Sequence, residues 1–161
     1  MEIAVALHNI RSLHNVGSIF RTSDAAGISK LFLCGITPTP LDRFGKIRPE
    51  LSKVALGAER NVPWEYVVST ARCIKKLKAE GYSIYALEQS RRSIPYDLAR
   101  LRRGTKKITL VLGDEVRGIP PSILKLSDAI LEIPMHGKKE SLNVSVAFGV
   151  AVYALMGRTQ R

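Results

Sequence analysis

The sequence predicts one α/β domain in which a mostly parallel sheet is flanked by helices. Short apolar strands alternate with helical segments along the chain, and this alternation is typical of strands joined by helical crossovers. The length of 161 residues suits one ordinary domain, and the 45% hydrophobic and 24% charged fractions are those of a globular protein. We therefore expect residues 1–161 to form a single domain.

The first half of the chain alternates strand and helix clearly at its start and less clearly afterwards. EIAVALH (2–8) is predicted to be a strand, and NVGSIFRTSDAAG (15–27) a helix with Asn15 as its N-cap and Gly27 as its stop. KLFLCG is the next apolar strand. LSKVALGAE and NVPWEYVVS are ambiguous, and we expect a helical turn followed by a strand.

The second half of the chain contains three more predicted strands, YSIYALE, KITLVLG and AILEIP. TARCIKKLKAEG before them has the spacing of an amphipathic helix that ends at Gly81, and PPSILKLS is a short helix that begins with proline. A final helix is expected from Leu142 to Met156. It is apolar nearly all round, so it must be covered on every side, and an interface with a second copy of the chain is expected.

Several classes of protein are excluded by simple patterns. No run reaches the roughly 18 apolar residues that a membrane span requires, and the N-terminus has no basic leader. Only two cysteines occur, without a CxxC pair, and the three histidines lack metal-ligand spacing, so we expect no disulfide framework and no metal. The cytoplasm is the expected location.

Positive charge is concentrated in two segments. The chain has 25 Lys and Arg against 14 Asp and Glu, a net charge of +11. Residues 91–107 (RRSIPYDLARLRRGTKK) hold seven basic side chains and one acid, and a second cluster lies at 43–48. These clusters are either a solvated surface or a footprint for a phosphate backbone. Few aromatic residues interleave with them, so stacking on single-stranded bases is not expected.

Ligands of parallel α/β domains bind beyond the carboxyl ends of the strands, which directs attention to three loops. NVGSIFR places Asn15 and Arg21 on either side of Gly17, a position where the backbone must stay unencumbered. Arg21 shares a helix face with Ser18. From these residues alone, Asn15 is either a plain cap or a functional amide, and Arg21 is either a solvated side chain or a site residue.

The other two loops also carry unusual residues. LVLGDEVRGIPPS has GxxxxG spacing between Gly113 and Gly118, but it lacks the lysine of a phosphate loop, and no GxG occurs in the chain. Its acid pair could accept hydrogen bonds from a ligand or anchor a basic residue. In IPMHGKKESLNVS, Ser141 is the expected cap of the final helix, and Asn143 in the first turn needs hydrogen-bond partners.

The three loops together resemble the motifs of the SpoU/TrmH family of SPOUT RNA methyltransferases. The segments that carry the resemblance are NVGSIFRTSDAAG, LVLGDEVRGIP and IPMHGKKESLNVSVAFGVAVYAL, in the order that the family has them. KVALGAERNVPWEY and YALEQS are similar to the family's intermediate segments. The resemblance extends from Val5 to Leu155.

The resemblance implies a fold with a deep C-terminal trefoil knot, a homodimer through the final helix, and methyl transfer from S-adenosylmethionine to a ribose 2'-hydroxyl of RNA. The implied catalytic residues are Asn15, Arg21, Glu115, Ser141 and Asn143. The implied cofactor-binding residues are Leu87, Gly113, Ile133, Met135 and Leu142. The basic clusters would then be the RNA-binding surface, with Arg43, Lys46, Arg48, Arg91, Arg92, Arg102 and Arg103.

The family's proposal makes Arg21 the general base, but an arginine side chain resists deprotonation in proteins. Two roles stay open. In one, burial neutralises Arg21 and an RNA phosphate takes part in proton removal. In the other, Arg21 stays cationic, holds the phosphate beside the target ribose and stabilises the developing alkoxide. We favour the cationic role.

The substrate is the least determined part of the prediction. No extra N-terminal RNA-binding domain precedes the motifs, which favours transfer RNA over ribosomal RNA. A related enzyme that methylates a base nitrogen is an alternative, although the SLN motif with Arg21 argues against it. A knotted RNA-binding protein without catalysis is another, although the five polar motif residues argue against that.

Overall fold

The computed structural model describes residues 1–99 and 104–157, and these form an α/β domain. Its strands pair in the order β3-β2-β1-β6-β4-β7-β5, and each of these pairings is parallel. The predicted α/β class with a mostly parallel sheet is therefore confirmed. The strands are β1 (Glu2–His8), β2 (Lys30–Cys34), β3 (Trp64–Val67), β4 (Ser83–Leu87), β5 (Ile94–Pro95), β6 (Lys107–Leu112) and β7 (Ala129–Glu132).

Helices cover both faces of this sheet. They are α1 (Leu13–Ala25), α2 (Pro49–Ala55), α3 (Ala58–Asn61), α4 (Thr70–Ala79), α5 (Pro121–Leu124) and α6 (Val144–Gly157). In β1, Ile3, Val5 and Leu7 belong to a core cluster shared with α1, α2, α3 and α6. Ala4 and Ala6 face the opposite cluster, which α4 and α5 cover. Successive side chains of a strand point to opposite faces, so a sheet covered on both sides is apolar at every central position.

The start of α1 differs from the prediction. Asn15 is not the N-cap; Ser12 is, and its Oγ accepts a hydrogen bond from the Asn15 N–H at 3.1 Å. Ser12 has the extended backbone that a cap requires, whereas Asn15 already lies in the first helical turn and is buried. The predicted end is confirmed, because α1 stops at Ala25 and Gly27 follows with a φ of +64°.

The ambiguous segment after β2 forms two helices, α2 and α3, before β3. Gly17 of α1 faces α2 so closely that a Cβ there would lie 2.6 Å from the main-chain oxygen of Leu51. The missing side chain at Gly17 therefore allows two helices to pack closely, and the space beside it is filled by the protein itself.

The predicted amphipathic helix is α4, with Cys73, Ile74 and Leu77 buried, and Gly81 follows its end with a φ of +86°. The basic segment 91–107 contains the two-residue strand β5, which the sequence did not predict. Ile94 and Pro95 form this strand at the edge of the sheet, where a proline costs no ladder hydrogen bond.

The final helix also begins later than predicted, at Val144 instead of Leu142. Ser141 is not its cap. Asn143 precedes the helix, its Oδ1 accepts a hydrogen bond from the Ser145 N–H at 2.9 Å, and its main-chain oxygen accepts one from Ala147. An asparagine at this place satisfies an N–H of the first turn as well as a serine does. Within the described ranges, the model contains no helix with the length and apolar character that crossing a bilayer demands.

Candidate active site

The candidate site lies where the chain changes direction across the sheet. From β1 the chain runs outward through β2 to β3, and β6 pairs with the other edge of β1. The loops that follow β1 and β6 therefore meet at the carboxyl edge of the sheet. Such a switch point is the expected ligand position in an open α/β sheet.

Glu115 joins these two loops. Its Oε2 accepts a hydrogen bond from the Arg11 N–H at 3.1 Å, and its Oε1 accepts one from the Ser12 N–H at 3.1 Å. The side-chain amide of Asn15 donates to the same Oε1, also at 3.1 Å. The carboxylate therefore sits at the N-terminus of α1, where a negative charge is favourable. This arrangement binds the loop after β6 to the start of α1.

Asn143 adds the third loop to this network. Its Nδ2 donates to the Oδ1 of Asn15 at 3.0 Å. Its Oδ1 accepts from the Oγ of Ser145 at 2.7 Å, in addition to capping α6. A continuous line of hydrogen bonds thus runs from Glu115 through Asn15 and Asn143 to Ser145. Three of the five predicted catalytic residues, Asn15, Glu115 and Asn143, are brought into direct contact.

Asp114 shapes the loop after β6. Its Oδ1 accepts hydrogen bonds from the N–H groups of Val116 and Arg117 at 2.7 and 2.9 Å, and the Arg11 guanidinium lies 3.3 Å from its Oδ2. Of the two roles open for the acid pair, anchoring a basic residue therefore applies to Asp114. Glu115 instead accepts hydrogen bonds from two main-chain N–H groups and from the Asn15 amide.

Both carboxyls of this pair are ionised at neutral pH. Burial alone would raise the pKa of Asp114, but the two main-chain hydrogen bonds and the Arg11 charge hold that pKa below its ordinary value. Burial likewise acts to raise the pKa of Glu115, and the donors from Arg11, Asn15 and Ser12 outweigh it. Two negative charges thus border the site in a protein whose net charge is +11.

The two glycines of this loop serve packing inside the protein. A Cβ on Gly113 would lie 2.6 Å from the main-chain carbon of Gly118. Gly118 itself has a φ of +65°, and a Cβ there would overlap the carboxylate of Glu88. Glu88 accepts a hydrogen bond from the Ile119 N–H at 2.7 Å, which explains why its oxygen lies so close to the loop.

Two adjoining cavities open beside the network. The larger has a volume of about 470 Å³ and is bordered by Leu87, Gly113, Glu115, Leu142 and Asn143, among others. The smaller, about 170 Å³, is bordered by Ile133 and Met135. Leu87, Glu88, Ser141, Leu142 and Ala147 line both, so the two form one cleft. All five predicted cofactor-binding residues line this cleft.

Ser141, another predicted catalytic residue, also lines the cleft, where its side chain is exposed. Arg21 lies elsewhere. It is exposed on α1, six residues beyond Asn15, and makes no hydrogen bond or ion pair with any described residue. The single chain therefore does not bring Arg21 into the hydrogen-bonded network.

His8 ends β1 near this site, but its ring is occupied. Its Nδ1 lies 2.8 Å from the Thr70 hydroxyl, and its Nε2 lies 3.3 Å from the side-chain nitrogen of Asn9. Burial lowers the pKa of His8, and the nearby Asp114 charge opposes this only in part. The imidazole is therefore neutral at neutral pH and holds the end of β1 in place.

The predicted RNA-binding residues are distributed over the surface. Arg43 and Lys46 are exposed on the loop between β2 and α2, with Arg48 half-buried at its end. Arg91 and Arg92 are exposed after β4. Arg102 and Arg103, also predicted to bind RNA, lie outside the described residues. In the part of the chain that the structure describes, no cluster of side chains has the composition of a metal site.

Arg11, Ser12 and Glu88 are site residues that the sequence analysis did not identify. Arg11 and Ser12 contact Glu115 through main-chain N–H groups, and their side chains add the contact with Asp114 and the cap of α1. A serine before a helix is a capping signal that could have identified Ser12, whereas no sequence signal marks Arg11. Glu88 follows β4 within the YALEQS segment. Glu88 is the only acid at the end of that strand, and this position could have identified it as a site residue.

Comparison with known sequences gives consistent matches. The sequence model of the SpoU rRNA Methylase family matches residues 2–153. The 23S rRNA (guanosine-2'-O-)-methyltransferase RlmB of Xanthomonas axonopodis pv. citri is 30% identical over 94% of this chain and 57% of that protein. The tRNA (guanosine(18)-2'-O)-methyltransferase of Aquifex aeolicus is 31% identical over 94% of this chain and 67% of that protein. The chain thus spans little more than half the length of RlmB.

Solved structures have the same fold. An AdoMet-bound rRNA methyltransferase from Sinorhizobium meliloti superposes with a TM-score of 0.87 at 28% identity, over 98% of this chain and 56% of that one. A structure described as giving insights into the 2-OH methylation of C/U34 on tRNA has a TM-score of 0.77 at 29% identity. That superposition covers 99% of this chain and 98% of the other.

Proposed function

The chain belongs to the SpoU rRNA Methylase family, and from that premise we propose that it transfers a methyl group from S-adenosylmethionine to a ribose 2'-hydroxyl of transfer RNA. The observation that carries the proposal is the hydrogen-bonded line from Glu115 to Asn143 beside a cleft of suitable size. Transfer RNA is favoured because a relative matched over nearly its whole length acts on it. A cytoplasmic location follows from this substrate.

The cleft suits S-adenosylmethionine in both shape and charge. Its larger part is bordered by three carboxylates, from Glu88, Asp114 and Glu115, and by no lysine or arginine of the described residues. A sulfonium or ammonium group is stabilised by such surroundings. Leu87, Leu142 and Met135 give apolar contact for an adenine ring, together with Ile133 and the main chain of Gly113. The bound cofactor would supply an electrophilic methyl group at this place.

The polar network would position the target ribose. Glu115 and Asn143 border the cleft, where a carboxylate oxygen and a side-chain amide can meet a hydroxyl group, while the buried Asn15 lies between them and contacts both. Because the three side chains hold one another, their geometry is set before the substrate arrives. Ser141 is exposed at the mouth of the cleft and can donate a hydrogen bond to either bound molecule.

Arg21 would act as a cation on the RNA. Its exposure and its lack of a partner among the described residues leave the guanidinium free for a phosphate. This favours the clamp over the buried, neutral base, since none of the described residues buries Arg21. Holding the phosphate beside the reacting ribose and stabilising negative charge there are the contributions expected of such a group.

A homodimer through α6 is part of the proposal. Phe148, Ala151, Val152 and Leu155 bury one side of α6 against the domain. The opposite side exposes Val146 by 52%, Val150 by 36% and Tyr153 by 53%. These three residues are spaced by four and three positions, so they share one face of the helix. An exposed apolar face of this kind is typical of a protein interface. The trefoil knot implied by the family resemblance stays a prediction.

The test is a methyl-transfer assay with labelled S-adenosylmethionine and separate pools of unmodified transfer RNA and ribosomal RNA, followed by digestion and identification of the nucleoside by mass. We expect a 2'-O-methylnucleoside from transfer RNA. If the same product came from ribosomal RNA instead, ribosomal RNA would be the substrate. A methylated base would show that the enzyme acts on a base nitrogen and not on ribose. Cofactor binding without any product would point to a missing partner or to another RNA substrate, and failure of cofactor binding as well would leave a non-catalytic RNA-binding protein.

A further inference from the structure

The loop between β2 and α2 contains an ordered hairpin, residues 40–48, that displays an aromatic ring. Phe44 at its tip is 71% exposed and is the most exposed aromatic side chain among the described residues. An aromatic ring in water costs free energy that a packed position would recover. Among the described residues, the hairpin therefore presents Phe44 with its ring largely exposed.

The 40–48 hairpin is held rigidly enough to fix that position. Leu41 and Ile47 pair as an antiparallel bridge, and the Arg48 N–H donates to the Pro40 oxygen at 2.9 Å. Asp42 accepts hydrogen bonds through its Oδ1 from the N–H groups of Phe44 and Lys46, at 2.8 and 2.9 Å. A side chain carried by a closed, hydrogen-bonded turn binds without the backbone entropy loss of ordering a loop.

Positive charge surrounds the ring. The Arg43 guanidinium lies 4.7 Å from the centre of the Phe44 ring, a cation–π contact that orders both side chains. Lys46 is exposed two residues beyond Phe44. Asp42 is the only acid of the hairpin, and the main chain occupies its Oδ1. An aromatic face beside two cations matches a nucleobase flanked by phosphates.

The hairpin is joined to the candidate active site by a hollow of about 490 Å³, large enough for a nucleotide. Arg48 at the base of the hairpin lines this hollow, and so do Tyr66 and Arg11. Arg11 in turn donates its N–H to Glu115. The hollow thus lies between the polar network, which it meets at Arg11, and the base of the hairpin, which it meets at Arg48.

We propose that Phe44 stacks on an unpaired base of the substrate RNA, with Arg43 and Lys46 on the adjacent phosphates, while the strand follows the hollow to the target ribose. This rests on the proposed function and deepens it, because it restricts the substrate to a single-stranded stretch. The bases of a duplex already stack on each other and offer no free face to Phe44. The proposal departs from the expectation, based on composition, that base stacking plays no role.

The test compares Phe44→Ala, Phe44→Leu and Phe44→Trp with the wild type. Each is titrated against a labelled single-stranded RNA of about 12 nucleotides and against the duplex of the same sequence. Stacking on one base is worth roughly 1–3 kcal/mol, so the alanine and leucine variants should bind the single strand about 5- to 150-fold more weakly. The tryptophan variant should bind at least as well as wild type, and duplex binding should stay unchanged.

Leucine separates stacking from simple apolar contact, because it keeps the apolar surface and removes the aromatic face. Wild-type affinity in Phe44→Leu would overturn the proposal, and so would an equal loss for the duplex. Methyl transfer measured in parallel distinguishes failure of the stacking proposal from failure of the proposed function. If the wild type transfers methyl groups to RNA while Phe44→Ala binds the single strand as tightly as the wild type does, stacking is refuted, the proposed function stands, and the hairpin serves a protein partner instead. If the wild type transfers no methyl group to any RNA while Phe44→Ala loses single-strand binding, the proposed function is refuted and stacking stands.

Discussion

Replacing Glu115 by glutamine tests whether this carboxylate joins the loops of the site. Glu115 accepts three hydrogen bonds, from the N–H groups of Arg11 and Ser12 and from the Asn15 amide. A glutamine side chain has one oxygen and one NH₂ group, so at least one of the three donors loses its acceptor. The charge that favours the N-terminus of α1 is lost as well.

The expected cost follows from these contacts. A hydrogen bond to a charged group contributes roughly 1.5–3 kcal/mol, and we take about 1.5 kcal/mol because the site is exposed. The loss of negative charge at the helix N-terminus adds roughly 0.5 kcal/mol. Together the free energy of unfolding should fall by about 2 kcal/mol. For a domain of this size, each kcal/mol shifts Tm by roughly 2–4 °C, so we expect a decrease of about 4–8 °C.

The pH dependence provides an independent measurement. The folded pKa of Glu115 lies below its ordinary value of 4.5, so the folded state binds the proton less tightly than the unfolded state does. The stabilisation from Glu115 is therefore complete above the ordinary pKa and is lost as the pH falls through the folded pKa. The difference in stability between wild type and Glu115→Gln should be full at pH 7 and disappear in acid. Asp114 titrates in both proteins and cancels in this difference.

Thermal unfolding followed by circular dichroism from pH 7 to pH 3 measures both effects. The matched control is Glu80→Gln, since Glu80 is an exposed carboxylate after α4 whose side chain makes no hydrogen bond with a described residue. If Glu115→Gln unfolds within about 1 °C of wild type at pH 7, the carboxylate does not hold the loops together and the reasoning is refuted.

Three further changes test other parts of the structure. Gly118→Ala should lower the free energy of unfolding by roughly 1–3 kcal/mol in urea titration, because Gly118 has a φ of +65° and a Cβ would overlap Glu88. Arg21→Ala should reduce methyl transfer by roughly 10²- to 10³-fold without changing the melting temperature, since it removes one group that stabilises charge in the transition state. Val146→Glu should convert a dimer to a monomer in light scattering, because it places a charge on the exposed apolar face of α6.

Each of these changes has a control in the same chain. Gly137→Ala adds a Cβ that meets nothing within 4 Å, so it should be neutral, and equal losses at both glycines would contradict the overlap with Glu88. Arg72→Ala removes an exposed arginine from α4, on the opposite face of the sheet, and should keep its activity. Val116→Glu charges another exposed valine and should leave the dimer intact. A dimer that persists in Val146→Glu would remove α6 from the proposed interface.

Local patterns in the sequence were sufficient for the strands other than β5 and for most helices. The strand EIAVALH matches β1 residue for residue because its five central residues, which are buried, form an unbroken apolar run. The end of α1 before Gly27 was predictable for a similar reason, since a left-handed turn after a helix favours glycine. The ambiguity of residues 51–69 arose because two short helices in succession, α2 and α3, leave too few turns for a helical period to be recognised.

Helix starts were less predictable than helix ends. Asn15 and Ser141 are both good capping residues, yet Ser12 and Asn143 are the caps. Several polar side chains near each start could accept the same N–H, and the choice depends on which one the loop places in extended backbone. In α1 this choice frees the Asn15 side chain for Glu115 and Asn143.

The sequence by itself determined the α/β class, every strand except β5 and the identity of the motif residues, because apolar periodicity and residue type are properties of short segments. The tertiary structure decided which of those residues meet. Glu115 and Asn143 lie 100 and 128 positions after Asn15 along the chain. Only the order of strands in the sheet brings their loops to one edge. Arg21 stays outside this contact because it lies on α1 six residues beyond Asn15, and the loop after β2 brings the base of the 40–48 hairpin, at Arg48, to a hollow that Arg11 also lines. Contacts between distant segments depend on how the elements pack, and no local pattern records that packing.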